Sequence, residues 1–101
     1  MVILSDFMDI SEDKQTLYKS IAMLLQQAKI SCFIGIGKEL REYQHYFTVD
    51  NSRFYENTEQ FLKQENRNNF KNQVILIKGA RRFQFEFIAG FLQKQSHGTI
   101  L

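Results

Sequence analysis

The four residues 74–77, Val-Ile-Leu-Ile, constrain the fold of this chain more than any other feature. All are β-branched or leucine, so they predict a strand that is apolar on both faces. A strand of this kind is typical of a parallel sheet that helices cover on both sides. Residues 1–5 and 31–37 predict two further buried strands, and residues 53–55 predict a short one.

Helical patterns separate these predicted strands. Ser11 predicts the N-cap of a helix of about 17 residues, and residues 38–46 predict a short second helix. Asn57 or Thr58 can cap a third helix, and the apolar spacing of residues 83–94 predicts a fourth. The phenylalanines of this fourth helix fit a buried face better than an exposed aromatic platform. The alternation predicts one Rossmann-like α/β domain, a three-layer α/β/α structure with a mostly parallel sheet of about four or five strands.

Charge and composition exclude several classes of function. The 101 residues carry a net charge of +2, which is too small for a protein that binds nucleic acid through its phosphates. No apolar stretch approaches the ~18 residues of a membrane span. The lone Cys32 has no partner for an internal disulfide, so we expect a buried thiol and a reducing, cytoplasmic setting. His45 and His97 are too isolated to form a metal or catalytic cluster.

The loops that follow the strands are the candidate ligand sites, because ligands of open α/β sheets bind outside the carboxyl ends of the strands. Asp6 and Asp9 follow the first strand, where a carboxylate could orient a metal, a water or an amine; a solvated loop that caps a helix explains them equally well. Asp6 is the stronger candidate. Gly35 and Gly37 form a GxG, but the third glycine and the acidic ribose partner of a dinucleotide site are missing, so we interpret them as turn residues.

The strongest candidate is the turn of residues 78–82, Lys-Gly-Ala-Arg-Arg. Its glycine permits close approach to the backbone, a predicted helix N-terminus supplies free N–H groups, and three cations converge. The turn also lies within residues 51–101, which hold eight basic and four acidic side chains. We expect a carboxylate there, with Arg81 as its bidentate contact, Lys78 as a general attraction and Arg82 solvated. The alternative is a strand-to-helix turn whose basic side chains all face water, and the Walker A pattern is absent.

Three segments carry a resemblance to a known family. They are residues 2–9 (Val-Ile-Leu-Ser-Asp-Phe-Met-Asp), residues 54–62 (Phe-Tyr-Glu-Asn-Thr-Glu-Gln-Phe-Leu) and residues 74–81 (Val-Ile-Leu-Ile-Lys-Gly-Ala-Arg). Their order and spacing resemble the C-terminal domain of the Mur ligases, specifically the MurF type. The first segment is similar to the family's strand that ends in Gly-Asp-Met, and the last is similar to its Lys-Gly-Ser-Arg turn.

The chain departs from the family's pattern at four positions. Ser5 and Ser11 stand where glycine is usual, Ala80 stands where serine is usual, and Arg82 replaces a glycine. The turn therefore lacks a hydroxyl donor that the family's pattern contains.

The resemblance implies an ATP-dependent ligase that joins D-alanyl-D-alanine to UDP-N-acetylmuramoyl-tripeptide in cytoplasmic peptidoglycan precursor synthesis. Residues 1–101 would be most of its C-terminal domain, truncated at the N-terminal edge. ATP and magnesium would be bound mainly by the absent central and N-terminal domains, so no cofactor is expected in this chain alone, and the isolated chain is expected to be inactive. The positions that match ligand-facing residues of the family are Lys78, Gly79, Ala80, Arg81 and, more weakly, Asp6.

The last residues resemble a junction to another domain. Residues 93–101 are similar to the point where a MurF-type ligase is fused to a downstream alanine racemase, with the junction at residues 96–101. A second hypothesis is a stand-alone Rossmann-like regulatory or anion-binding interaction module, since the chain is small and shows no complete catalytic set. Neither hypothesis includes nucleic acid or a membrane as a partner.

Overall fold

The computed structural model describes residues 1–8, 13–93 and 99–100, and these form the predicted α/β architecture. The strands are β1 (Val2–Ser5), β2 (Cys32–Ile36), β3 (Asn51–Tyr55), β4 (Val74–Lys78) and β5 (Thr99–Ile100). Within the same residues the helices are α1 (Lys14–Gln27), α2 (Lys38–Glu42), α3 (Thr58–Gln64) and α4 (Glu86–Gln93). Short 3-10 turns lie at Gln44–Tyr46, Arg67–Phe70 and Arg81–Phe83.

The strands form a parallel sheet in the order β3-β2-β1-β4-β5. The chain moves outward from β1 through β2 to β3 and then crosses to the other side of β1, where β4 pairs with it. Val2 therefore opposes Phe33 on one side and Leu76 on the other. The direction of winding reverses between β1 and β4, and their carboxyl ends form the topological switch point at which open α/β sheets bind ligands.

Alternate side chains of β1 to β4 supply two separate cores, one on each face of the sheet. Ile3 packs in a core with α3 and α4, whereas its neighbours Val2 and Leu4 pack in a second core with α1 and α2. This arrangement confirms the three-layer prediction. Among residues 1–8 and 13–93, none of the helices combines the length and the apolar composition needed to span a bilayer.

At the N-termini of α1 and α3, a side-chain oxygen of the N-cap residue accepts a hydrogen bond from a backbone N–H of the first turn. Asp13 is the N-cap of α1, and its Oδ2 accepts hydrogen bonds from the N–H and the hydroxyl of Thr16 at 3.2 and 2.9 Å. The helix therefore has 14 residues rather than the predicted length of about 17. Ser11, the predicted cap, lies outside the described residues. At α3 the prediction is confirmed, because Asn57 accepts from the Gln60 N–H at 2.8 Å.

The start of α4 differs from the prediction. The helix begins at Glu86, not at the turn after β4; a 3-10 turn, Arg81–Phe83, and the left-handed Gln84 (φ 53°) come first. Phe83 and Phe85 are both buried in the core. Residues two apart point to different sides of a helix, so a continuous helix would bury only one of these rings. The chain therefore interrupts the helical conformation here, and the predicted helix N-terminus is not at the turn of residues 78–82.

Phe61 offers a test of this core. It is fully buried, and its ring lies 5.8, 6.0 and 6.0 Å from the rings of Tyr55, Phe70 and Phe91. Phe61→Ala should lower the free energy of unfolding by about 3–5 kcal/mol, because the cavity cannot fully collapse. Phe87 is 56% exposed, so Phe87→Ala should cost less than about 1 kcal/mol. Urea denaturation measures both values, and equal losses would contradict this core.

Candidate functional site

A cavity of about 280 Å³ lies at the switch point between β1 and β4. Residues from the ends of both strands line it: Ser5, Asp6, Phe7, Met8, Lys78, Gly79 and Ala80. The sequence separates the two groups widely, and the parallel pairing of β1 with β4 brings them together. Four of the five predicted site residues therefore share one cavity.

Ser5 joins the two loops that form this cavity. Its hydroxyl accepts a hydrogen bond from the Ala80 N–H at 2.8 Å and donates one to the Asp6 carbonyl at 3.0 Å. Ser5 is almost fully buried, at 2% exposure. This serine therefore fixes the end of β1 to the turn after β4.

Asp6 caps a helix that belongs to a different part of the chain. Its Oδ2 accepts from the Glu39 N–H at 3.0 Å, and its Oδ1 accepts from the Leu40 N–H at 2.9 Å. Asp6 is 4% exposed, and α2 has no side-chain cap of its own. Burial raises the pKa of the Asp6 carboxyl, the two N–H groups lower it, and the net shift is upward. Both oxygens cap α2, so Asp6 caps a helix, as the alternative interpretation expected. The carboxylate is buried, however, and not solvated as that interpretation also expected.

Gly37 is a glycine because Asp6 occupies the space that a side chain would need. Its φ is 138°, and a Cβ atom would lie 2.2 Å from the Asp6 carboxyl. The ring of Phe54 similarly covers Gly35, at 2.9 Å from an ideal Cβ. Gly37, at the end of β2, is therefore a turn residue as expected, whereas Gly35 lies within β2 and pairs with Leu4 and Phe54.

Tyr18 and Glu39 connect the loop after β1 to α1 and α2 through hydrogen bonds. The Tyr18 hydroxyl accepts from the Phe7 N–H at 3.0 Å and donates to Glu39 Oε1 at 2.8 Å, while Lys14 pairs with Glu39 at 2.5 Å. Burial raises the pKa of Tyr18 strongly. Burial also raises the pKa of Glu39, but hydrogen bonds from Lys14 and Tyr18 outweigh that effect, so the net shift is downward.

The sequence analysis did not identify Tyr18 as a residue of this site. Its place on the apolar face of α1, four residues before Ala22, was the available signal, because a buried tyrosine hydroxyl needs a hydrogen-bond partner.

Gly79 is required by the protein's own core. An ideal Cβ on Gly79 would lie 2.4 Å from the ring of Phe85, so the ring, not a ligand, makes the close approach to this glycine. The cations of the same turn differ in their surroundings. Arg82 lies over the Phe83 ring at 5.1 Å, whereas within the described ranges no acceptor binds the side chain of Lys78 or Arg81.

A second cavity, of about 570 Å³, lies along the same edge between the ends of β2 and β3 and the segment after β4. Lys38 and Arg82 line it, and so does Glu56, which pairs with Arg41 at 3.8 Å. Lys38 comes from the first half of the chain, where charge alone predicted no anion site. Basic side chains from both halves are therefore found along this edge.

A partly buried ion pair joins Arg53 of β3 to Glu65, away from the site. Arg53 donates to both oxygens of Glu65, at 2.6 and 3.1 Å, and the Tyr55 hydroxyl also donates to Glu65. Burial raises the pKa of Tyr55 to about 12. Cys32 is buried, as predicted, and across residues 1–8 and 13–93 no group of His, Cys, Asp and Glu side chains is arranged to hold a metal ion.

Comparison of this chain with family models, with curated proteins and with solved structures finds no match. The geometry of the site therefore carries the functional interpretation. Asp6, Lys78, Gly79 and Ala80 share the switch-point cavity, and Arg81 follows directly at the start of the 3-10 turn. Residues 96–98 and 101, part of the predicted domain junction, lie outside the described residues.

The buried cap provides a stability test with a matched control. Asp6→Ala leaves two N–H groups of α2 without acceptors and should lower the free energy of unfolding by about 2–4 kcal/mol. Asp13→Ala removes an exposed cap of the ordinary local kind and should cost about 1 kcal/mol. Chemical denaturation measures both. If the two variants lose the same stability, Asp6 does not have the role described.

Proposed function

We propose that this chain is the C-terminal domain of a cytoplasmic MurF-type ligase, and that it receives the D-alanyl-D-alanine that the enzyme joins to UDP-N-acetylmuramoyl-tripeptide. The supporting observation is the switch-point cavity. The first and the last of the three segments that resemble the family, residues 2–9 and 74–81, meet there and supply all of the residues that line it. The dipeptide carboxylate binds at this cavity.

The charges at the cavity determine the orientation of the ligand. Asp6 uses both carboxylate oxygens to hold α2, so it shapes the cavity and is not free to bind a substrate ammonium. Lys78 lines the cavity, and among the described residues no acceptor pairs with its positive charge. Arg81 does not line the cavity but follows the lining residue Ala80 directly, and its planar guanidinium is of the kind that binds a carboxylate through two parallel N–H bonds. The carboxylate end of the dipeptide therefore points toward residues 78–81 and its amino end points away.

We assign the nucleotide to other domains of the ligase, in keeping with the resemblance. Gly35 and Gly37 are covered by Phe54 and Asp6, and among the described residues no side-chain cluster suits a magnesium ion. ATP and magnesium, which activate the tripeptide carboxylate in such an enzyme, are assigned to the central and N-terminal domains in cis. The role of this chain is to bind and orient the amine that reacts. A downstream alanine racemase domain in cis completes the proposed protein.

Arg81 provides the test of this proposal in the intact ligase. Arg81→Ala should raise the KM for D-alanyl-D-alanine about tenfold to a hundredfold, which corresponds to the ~1.5–3 kcal/mol of a charged hydrogen bond. Arg81→Lys keeps the charge but loses the bidentate geometry, so it should recover only part of the affinity. The KM for ATP should change little in either variant. Steady-state phosphate release measures all of these constants.

Lys71→Ala is the matched control, because Lys71 is exposed and precedes β4 at the opposite end of the strand. It should leave the KM for the dipeptide unchanged. Unaltered dipeptide kinetics in Arg81→Ala, or a defect confined to ATP, would show that the turn is structural. A ligase that does not use the dipeptide at all would refute the proposal.

A further inference from the structure

A groove of about 420 Å³ runs along α4, beside α3 and the 3-10 turn that follows α3. It shares no residue with the cavity between β1 and β4. Most of its lining residues belong to α4 and lie within five positions of one another, so they share one side of that helix. The lining residues are Leu62, Arg67, Glu86, Phe87, Gly90 and Phe91.

Gly90 differs from the other glycines that the structure describes. A Cβ atom on Gly35, Gly37 or Gly79 would lie 2.9, 2.2 or 2.4 Å from a neighbouring side chain. At Gly90, by contrast, no described atom lies within 4 Å of the position that a Cβ would take. A glycine in the interior of a helix is less stable than an alanine. Packing among the described residues therefore does not account for Gly90, which leaves a hollow on the surface of α4.

Phe87 projects beside this hollow. It is 56% exposed, more than any other described phenylalanine. Phe91, one turn further along α4, is half-buried, because its ring packs against the rings of Phe61 and Phe70 with the centroids 6.0 and 6.4 Å away. The surface of α4 therefore presents a projecting ring and, three residues later, a hollow against which such a ring can pack.

Opposite charges flank the apolar part of the groove. Glu86 is the first residue of α4, and the Arg67 guanidinium lies over the Phe91 ring, 4.8 Å from its centroid. Glu86 and Phe91 are five residues apart, which is about 7.5 Å along a helix axis. Within the described part of the chain, neither Glu86 nor Arg67 forms an ion pair. The groove thus has a negative charge near one end and a positive charge near the other.

A second copy of this chain matches all of these features. If two α4 helices pack antiparallel with Phe87 opposite Gly90 of the other copy, then Glu86 lies opposite Phe91 of the other copy, because the two helices run in opposite directions. The Arg67 that covers Phe91 then faces Glu86 across the interface. Each pairing occurs twice, and such self-complementarity is what a two-fold symmetric dimer requires.

We propose that the chain forms a two-fold symmetric dimer, in which Phe87 of each copy packs over Gly90 of the other and Glu86 of each copy pairs with Arg67 of the other. The apolar contact is favourable because it removes the exposed part of the Phe87 ring from water. The ion pairs fix the register and the antiparallel direction of the helices. The inference does not depend on the proposed function, because the groove lies apart from the switch-point cavity.

Sedimentation velocity of the 101-residue chain, at concentrations up to about 1 mM, measures the dissociation constant of the dimer. Phe87→Ala should raise that constant about tenfold or more, because each dimer loses two buried rings. Met23→Ala is the matched control, since Met23 has a similar exposure of 53% but lies on α1, on the opposite face of the sheet. Its dissociation constant should equal that of the wild type.

Charge reversal tests the pairing across the interface. Glu86→Arg and Arg67→Glu should each raise the dissociation constant about tenfold, because each places like charges opposite one another at two symmetric positions. The variant that combines both substitutions restores opposite charges, and its dissociation constant should return to near the wild-type value. A combined variant that dimerises no better than the single variants refutes the pairing of Glu86 with Arg67.

Gly90→Leu separates folding from association. Leucine favours a helix more than glycine does, and no described atom occupies the space at Gly90, so the urea midpoint of the monomer should stay the same or rise. The dissociation constant of the dimer should rise about tenfold, because the leucine fills the hollow that Phe87 of the other copy needs. A chain that stays monomeric at every concentration refutes the dimer. A dimer that Gly90→Leu does not weaken, or that Met23→Ala weakens as much as Phe87→Ala does, refutes this interface.

Discussion

The arrangement of the loops at the carboxyl ends of the strands depends on one buried interaction, the capping of α2 by Asp6. The carboxylate comes from the end of β1, and the two N–H groups that it accepts belong to a helix 33 and 34 residues further along the chain. A helix as short as α2, with glycine as its N-cap, gains little stability from its own sequence. Asp6 therefore fixes the position of α2 against β1, and Gly37 leaves the space that the carboxylate needs.

The other hydrogen bonds at these strand ends involve residues next to Asp6 or bound to it. Ser5, next to Asp6, links the end of β1 to the turn after β4, and Glu39, whose N–H binds Asp6, receives the Tyr18 hydroxyl through its side chain. Phe7 is held through Tyr18 in turn. While these groups pair among themselves, Lys78 and Arg81 of the turn after β4 have no side-chain acceptor among the described residues. The cavity is consequently a fixed surface with positive charge on one segment and apolar side chains on the other.

The sequence predicted the strands, their parallel arrangement and the positions of the candidate loops, because apolar runs and turn residues are local signals. It did not predict the role of Asp6, since the partner of that carboxylate is determined by the packing of α2 against β1. The predicted start of α4 was wrong for a related reason. Phe83 and Phe85 were both assigned to the helix, but their rings pack in the same core, which a continuous helix would not allow. The sequence singled out Gly79 for the close approach of a ligand, whereas in the structure a ring of the core lies against it.

The titration of Asp6 tests the central interaction most directly. NMR of the side-chain carboxyl carbon, followed from neutral to acidic pH, should give a pKa above the ordinary value of 3.8, because burial outweighs the two hydrogen bonds. The amide protons of Glu39 and Leu40 should shift with the same midpoint, since they donate to the group that gains the proton. A pKa at or below 3.8, with amide shifts of these two residues that do not follow it, would contradict the account.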